Sequence, residues 1–262
     1  MEKERVRKMR LLMMAKNRYS GKLMEENQNI LNLSPANVTL RLELAKTFGG
    51  IVNKLEEHLK PLVLEVGVGE GDLSKYLIRE TKDVNYEFLD VSFDMLMRAR
   101  KNLDDEFGDY AYDWQFVHND IETLLRADCF SPNIITSAWT IHNFSWDFKK
   151  KVLGNIYKIL KNNYMKPYKK EVSSYFLLMD KIYPDDLDLE EELLERQISR
   201  FSNYLGVNHP IIAHEYQDYQ YEYLMKESET IACLEKIGFK DVKILDRIER
   251  DVLLVARKNE YE

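Results

Sequence analysis

At 262 residues, 45% of them apolar and 32% charged, the chain is long enough for one full α/β domain with a decoration, or for two small domains. A net charge of −7 disfavours nucleic acid as a bulk partner, although a local basic patch can override that balance. No apolar run approaches the roughly 18 residues of a membrane span, and Leu11-Leu12-Met13-Met14 is too short for the apolar part of a signal peptide, so no membrane partner is expected.

Cys129 and Cys233 give neither a disulfide framework nor a metal-ligand spacing, which points to a reducing, cytoplasmic setting without a metal site. In chain order, residues 1–22 alternate Lys and Arg with Val6, Met9, Leu12 and Met13 at a helical spacing. This is either the solvated basic face of a cap helix or a contact for nucleic acid or an acidic surface. Tyr19-Ser20-Gly21 breaks it. Ser34-Pro35 then supplies an N-cap and first-turn proline for a helix to about His58, with Gly49-Gly50 as a place for a kink.

The most informative stretch is Pro61-Leu62-Val63-Leu64-Glu65-Val66-Gly67-Val68-Gly69-Glu70-Gly71-Asp72. It reads as buried strand, glycine turn and helix start, the first half of a βαβ unit. Glycines there allow positive φ and let a ligand lie on bare main chain, while the following helix offers free N–H groups. A dinucleotide fingerprint would need a glycine at position 72, where this chain has Asp72. A carboxylate at Glu65 instead suits a ligand with a positive group, as the aminoacyl end of S-adenosylmethionine (SAM) has.

Downstream, Asn85–Asp90 reads as a second strand ending in a carboxylate, 25 residues beyond Glu65. An acid at that tip can accept from both ribose hydroxyls; it can equally be an N-cap for the helix Ser92–Phe107, although Ser92 also serves. Trp114–His118 is a third strand, followed by the turn pair Asn119-Asp120 and Ile121. Pro132–Ala138 is a fourth, running into Trp139-Thr140-Ile141-His142-Asn143, and the helix Trp146–Leu160 follows. Ligands gather where parallel strands end. Ser174–Met179, ending at Asp180, is a fifth strand, and Val242–Leu245 and Val252–Ala256 form a closing antiparallel hairpin.

The acid followed by Gly-x-Gly-x-Gly, with acids at later strand ends, resembles class I SAM-dependent methyltransferases of the small-molecule type over about residues 60–258. The resemblance implies a Rossmann-like doubly wound α/β fold with a seven-stranded, mostly parallel sheet whose last strand is antiparallel. An N-terminal helical cap would span 1–59 and the core 60–262, with a helical lid insert at about 181–230. SAM is the implied cofactor. Glu65, Gly67, Gly69 and Gly71 would form the first motif, and Asp90, Val91 and Met95 the second, beside the nucleoside. Asp120 would take the adenine amine, with Ile121 over the ring and Trp139 at the fourth strand tip. Tyr19 and Arg41 are candidates to close over the ligand, and equally candidates for surface or packing positions. His142 is the candidate base or acceptor-orienting group, its competing role being a structural histidine of the pocket. The family's second histidine is Asn143 here, and its usual Leu-x-Pro-Gly-Gly turn is replaced by the basic stretch Lys161–Lys170.

The insert carries thirteen acids from Asp180 to Glu229 against Lys181, Arg196, Arg200 and Lys226, with many tyrosines. It is either a lid whose acids face water, or a cap that selects a cationic or amine-bearing substrate. The leading expectation is a SAM-dependent methyltransferase acting on a small molecule, with oligomeric state left open. The alternatives are a carboxy-SAM synthase-like or other non-methylating SAM enzyme, a tRNA or protein methyltransferase, a non-catalytic SAM-binding protein, and an NAD-dependent dehydrogenase.

Overall fold

The computed structural model describes residues 29, 32–55, 60–81, 84–108, 114–121, 131–160, 173–206, 209, 212 and 225–258. Tyr19 and the rest of the basic N-terminal segment, the Lys161–Lys170 loop, and the insert's tyrosines between 216 and 223 lie outside the described residues.

After helix α1 (Ala36–Val52) come β1 (Leu62–Val66), α2 (Asp72–Glu80), β2 (Asn85–Asp90), α3 (Phe93–Phe107) and β3 (Trp114–His118). Then follow β4 (Ile134–Ala138), a 3-10 turn (Ile141–Asn143), α4 (Trp146–Ile159), β5 (Ser174–Lys181) and α5 (Leu187–Leu205). Helix α6 (Glu227–Ile237) and strands β6 (Lys240–Ile248) and β7 (Asp251–Lys258) close the chain. The seven strands lie in the order β3-β2-β1-β4-β5-β7-β6, with β7 antiparallel to both its neighbours and the others running one way. The fold expected from the sequence is the one observed. Among the described residues no helix is long and apolar enough to cross a membrane.

Both faces of the sheet are covered, so β1 is apolar on both sides and its residues alternate between two cores. Val63 packs with α1, α2 and α3, whereas Leu64 and Val66 pack with α4 and α6. Glu65 shares the α1–α2 side with Val63, which explains why its carboxylate meets those helices. The chain winds outward from β1 through β2 to β3, then crosses to place β4 on β1's other side. This reversal leaves a crevice at the strand carboxyl ends between β1 and β4.

Helix α1 departs from expectation at its end: it stops at Val52, and Gly49-Gly50 lies within continuous helix. Ser34 does cap its start, its Oγ accepting from Ala36 N–H at 3.3 Å. Ser92 caps α3, accepting from Met95 N–H at 3.3 Å, and Asp186 caps α5 by accepting from Asp188 and Leu189 N–H at 3.0 and 3.1 Å. The insert is fastened to the β6–β7 turn. Glu190 of α5 accepts from Arg250 at 2.7 Å, Arg200 pairs with Glu249, and Arg247 pairs with Glu227. Arg250 is fully buried, its guanidinium 3.8 Å from the centre of the Tyr183 ring.

Candidate functional site

A cavity of about 280 Å³ opens over the crevice between β1 and β4. Its wall includes Arg41, Glu65, Gly67, Gly69, Asp90, Val91, Met95, Asp120, Ile121, Trp139 and His142, so the structure brings these sequence-selected residues together. Gly71 is absent from that wall. Its φ of +83° turns the chain into α2, and a Cβ there would meet the Leu103 side chain of α3 at 3.3 Å, so packing explains the glycine.

Gly67 is the tightest point of the turn. At φ +73°, an added Cβ would lie 2.1 Å from Thr140 Oγ1. Gly67→Ala is therefore expected to destabilise the protein by about 2 kcal/mol or more, combining left-handed strain with overpacking. Urea unfolding checks this, and a midpoint unchanged from the parent would mean that Thr140 can move aside freely.

Glu65 is 1% exposed and accepts from Ser74 Oγ at 2.6 Å. Burial pushes its carboxyl up to about 8, against the opposing pull of Ser74 and Arg41. Asp90 uses both oxygens on the main chain, Oδ2 accepting from Gly69 N–H at 2.9 Å and Oδ1 from Ser92 N–H at 2.8 Å. Each carboxylate oxygen has capacity for a further donor. Burial raises the Asp90 carboxyl above its ordinary range, and these backbone bonds oppose it.

Arg41 belongs to the buried side of α1, following Asn37 by one turn. Its guanidinium lies 4.9 Å from the centre of the Trp139 ring and reaches Asp72 Oδ2 at 3.4 Å, while its buried Nε has no hydrogen-bond partner among the described residues. Trp139 is itself held in an unusual conformation, with φ +47°. Its backbone N–H donates to Met179 O at 2.8 Å, and its indole N–H donates to Asp251 Oδ1, also at 2.8 Å.

The 3-10 turn delivers His142. Its Nδ1 is 2.5 Å from Asp180 Oδ1, and its backbone N–H donates to Asp180 Oδ2 at 3.0 Å. A carboxylate can only accept, so Nδ1 carries the proton and Nε2 is the basic nitrogen. Asp180 is wholly buried; although burial would raise its carboxyl, the His142 side chain and two backbone donors hold it below the ordinary range. Lys149 of α4 is also fully buried near this acid, and burial draws its ammonium down to about 8 against the field of Asp180. Asn143 occupies the position of a second histidine and caps the turn, donating to Thr140 O at 3.1 Å.

The sequence reading assigned no role to Asp251, Lys149 or Gln197. Lys149 had a visible signal: it is in phase with Val152, Leu153 and Ile156, the buried stripe of α4. Asp180 ends an apolar strand, as Glu65 and Asp90 do. Asp251 had none, because only the reversed direction of β7 brings its first residue beside Lys181 at the ligand edge.

Residues 63–163 match the model of a methyltransferase domain family. No curated protein matches the chain. Among solved structures, the plantazolicin methyltransferase BpumL, in complex with a monoazolic desmethylPZN analogue and SAH, superposes with a TM-score of 0.65 at 14% identity, covering 94% of both chains. The magnesium protoporphyrin IX methyltransferase ChlM from Synechocystis PCC 6803, with bound SAM, gives 0.60 at 11% identity, covering 94% of this chain and 96% of that one. The CurJ carbon methyltransferase gives 0.62 at 16% identity over 88% of this chain, which spans only 57% of the length of that structure. At these identities the likeness is one of fold.

Proposed function

We propose, from the match of residues 63–163 to a methyltransferase domain family, that this chain moves a methyl group from SAM to a small-molecule acceptor. The observation that carries the reading is the meeting of a buried acid and a buried base in one cavity: Glu65, and Arg41, whose Nε has no partner among the described residues. A zwitterionic amino-acid end needs that pair, an acid for its ammonium and a guanidinium for its carboxylate. Glu65 and Arg41 would hold this end against the bare turn at Gly67 and Gly69. Asp90 would take the ribose, Val91, Met95 and Ile121 would cover the base, and Asp120 would accept from its amine. Trp139 would carry Arg41 on its ring face.

When bound, the cofactor supplies a methyl carbon made electrophilic by its sulfonium. The chain's own part is to align the acceptor, keep water out and take the acceptor's proton. His142 is the base in this reading, its tautomer and orientation set by Asp180. A small-molecule acceptor and a cytosolic setting are supported by the net charge of −7 and the two cysteines. An amine-bearing acceptor draws no support from the insert's described acids. Asp185 binds Ser228, Asp186 caps α5, Glu190 pairs with Arg250 and Glu192 with Arg196, and none of them lines the cavity.

Parallel calorimetric titrations with SAM, S-adenosylhomocysteine (SAH) and NAD test the cofactor. Micromolar binding of the first two without NAD supports the reading, and binding of NAD alone overturns it at the glycine turn. Asp90→Ala is expected to weaken SAH binding by about 1–3 kcal/mol, roughly ten- to a hundredfold. Unchanged affinity in a folded variant would remove the ribose assignment.

A further inference from the structure

The cavity has two ends. The tips of β1, β2 and β3 supply Glu65, Asp90 and Asp120, and the other end is built by the 3-10 turn, the start of α4 and the lid helix α5. Phe144 and Phe148 stand edge to face there, with ring centres 5.1 Å apart, and Phe201 comes down from α5. The buried stripe of α5 is Leu193, Gln197 and Phe201, so an amide occupies the middle of an apolar row. Gln197 is 2% exposed and lines the cavity. A buried amide needs hydrogen-bond partners, and those that the protein does not supply come from whatever fills the cavity.

Arg250 biases which way the amide faces. Its NH1 donates to Gln197 Oε1 at 3.5 Å, which leaves Nε2 as the outward donor, and among the described residues nothing accepts from that nitrogen. Two acids lie near this end, and both are engaged. Asp251 takes the Trp139 indole N–H at 2.8 Å and the Ser34 hydroxyl at 3.4 Å, and Asp180 lies behind His142. Lys181, across the strand pair from Asp251, adds a cation to the same wall.

We propose that Gln197 reads the acceptor: its Nε2–H donates to a carbonyl or carboxylate oxygen on a flat, apolar ring seated among Phe144, Phe148 and Phe201. This rests on the methyl-transfer reading and names the substrate class for it. A donor that meets an oxygen discriminates by leaving an unpaired buried group when the oxygen is missing, and it repels an ammonium, which has only donors.

The test uses the full chain saturated with SAH. Benzoate and acetophenone are titrated against benzylammonium and 1-phenylethylammonium, with toluene as the bare ring, followed by ligand-observed NMR. The oxygen-bearing rings are expected to bind and the ammonium rings to bind at least about tenfold more weakly. Gln197→Leu nearly conserves volume in an apolar stripe, and Arg250 keeps Glu190. It should cost benzoate and acetophenone about tenfold while sparing toluene. Gln197→Glu, which keeps an oxygen for Arg250 but loses the donor, should weaken benzoate further and admit the ammonium rings, a reversal that a purely structural role would not produce. Equal binding of the ammonium rings to the parent, no loss in Gln197→Leu, or no ring binding despite SAH binding would each overturn the inference. Failure of the parent to bind SAH would instead sink the methyl-transfer reading, and this one with it.

Discussion

Asp180→Ala is expected to destabilise the protein by about 3–5 kcal/mol in urea unfolding at pH 7, the cost of stripping a buried ionic group of its partner. Asp180 is 0% exposed, and its oxygens take the His142 ring at 2.5 Å, the His142 backbone N–H at 3.0 Å and the Lys181 backbone N–H at 2.9 Å. Lys149 is just as buried, and Asp180 is the charge that supports its ammonium against burial. Truncation therefore removes the Asp180 field from a desolvated ammonium and takes this acceptor from two backbone donors and the His142 ring.

The pH dependence separates the two partners. Asp180 has a folded pKa below its ordinary value, so its contribution is present above about pH 4 and is lost as pH falls through the lower folded value. Lys149 is depressed from 10.5 to about 8, so the folded state holds fewer protons than the unfolded one across that window, and stability rises with pH there. In Asp180→Ala the acid-side loss should vanish and the alkaline rise should begin at a lower pH, because Lys149 then loses the field of Asp180. A penalty under about 1 kcal/mol would mean that the Lys149 ammonium does not depend on this carboxylate.

The parts of the site that were legible in the sequence share one physical origin. A parallel strand buried on both faces must be apolar, so an acid at its tip, as at Glu65, Asp90 and Asp180, stands out against the run before it. Glycines at 67 and 69 are visible because no other residue holds those φ values without strain. Gly71 carries the same signal but packs under α3, since the periodic pattern does not say which side of the turn the ligand lies on. What was illegible depends on pairing over long sequence separations. Trp139 reaches Asp251 across 112 residues. Gln197 looks like one more polar residue of an acidic helix until the Glu190–Arg250 and Arg200–Glu249 pairs dock that helix and turn its amide inward. Arg41 was open between ligand and surface because its meaning comes from Trp139 and Asp72, elements that no local spacing connects to α1.

Between pH 6 and 7.5, the affinity for SAH is expected to rise by close to tenfold per pH unit, with release of about one proton per complex. The cause is Glu65. Burial lifts its carboxyl from 4.5 to about 8, and the Ser74 hydroxyl and Arg41 recover only part of that shift. The ligand-free protein therefore holds a proton on Glu65 at neutral pH that the unfolded chain has shed, and its stability falls as pH rises from about 4.5 to about 8. A ligand ammonium needs the ionised form, so binding must expel that proton, and each unit of pH below the folded value makes this tenfold harder. Calorimetry in two buffers of different ionisation heat counts the proton directly. Glu65→Gln, isosteric and still able to accept from Ser74, should flatten the profile and weaken binding at pH 7.5. A parent profile as flat as that of the variant would show that Glu65 is already ionised before the ligand arrives. The field of Arg41 would then be what holds it ionised, and the ligand's ammonium would bind there without expelling a proton.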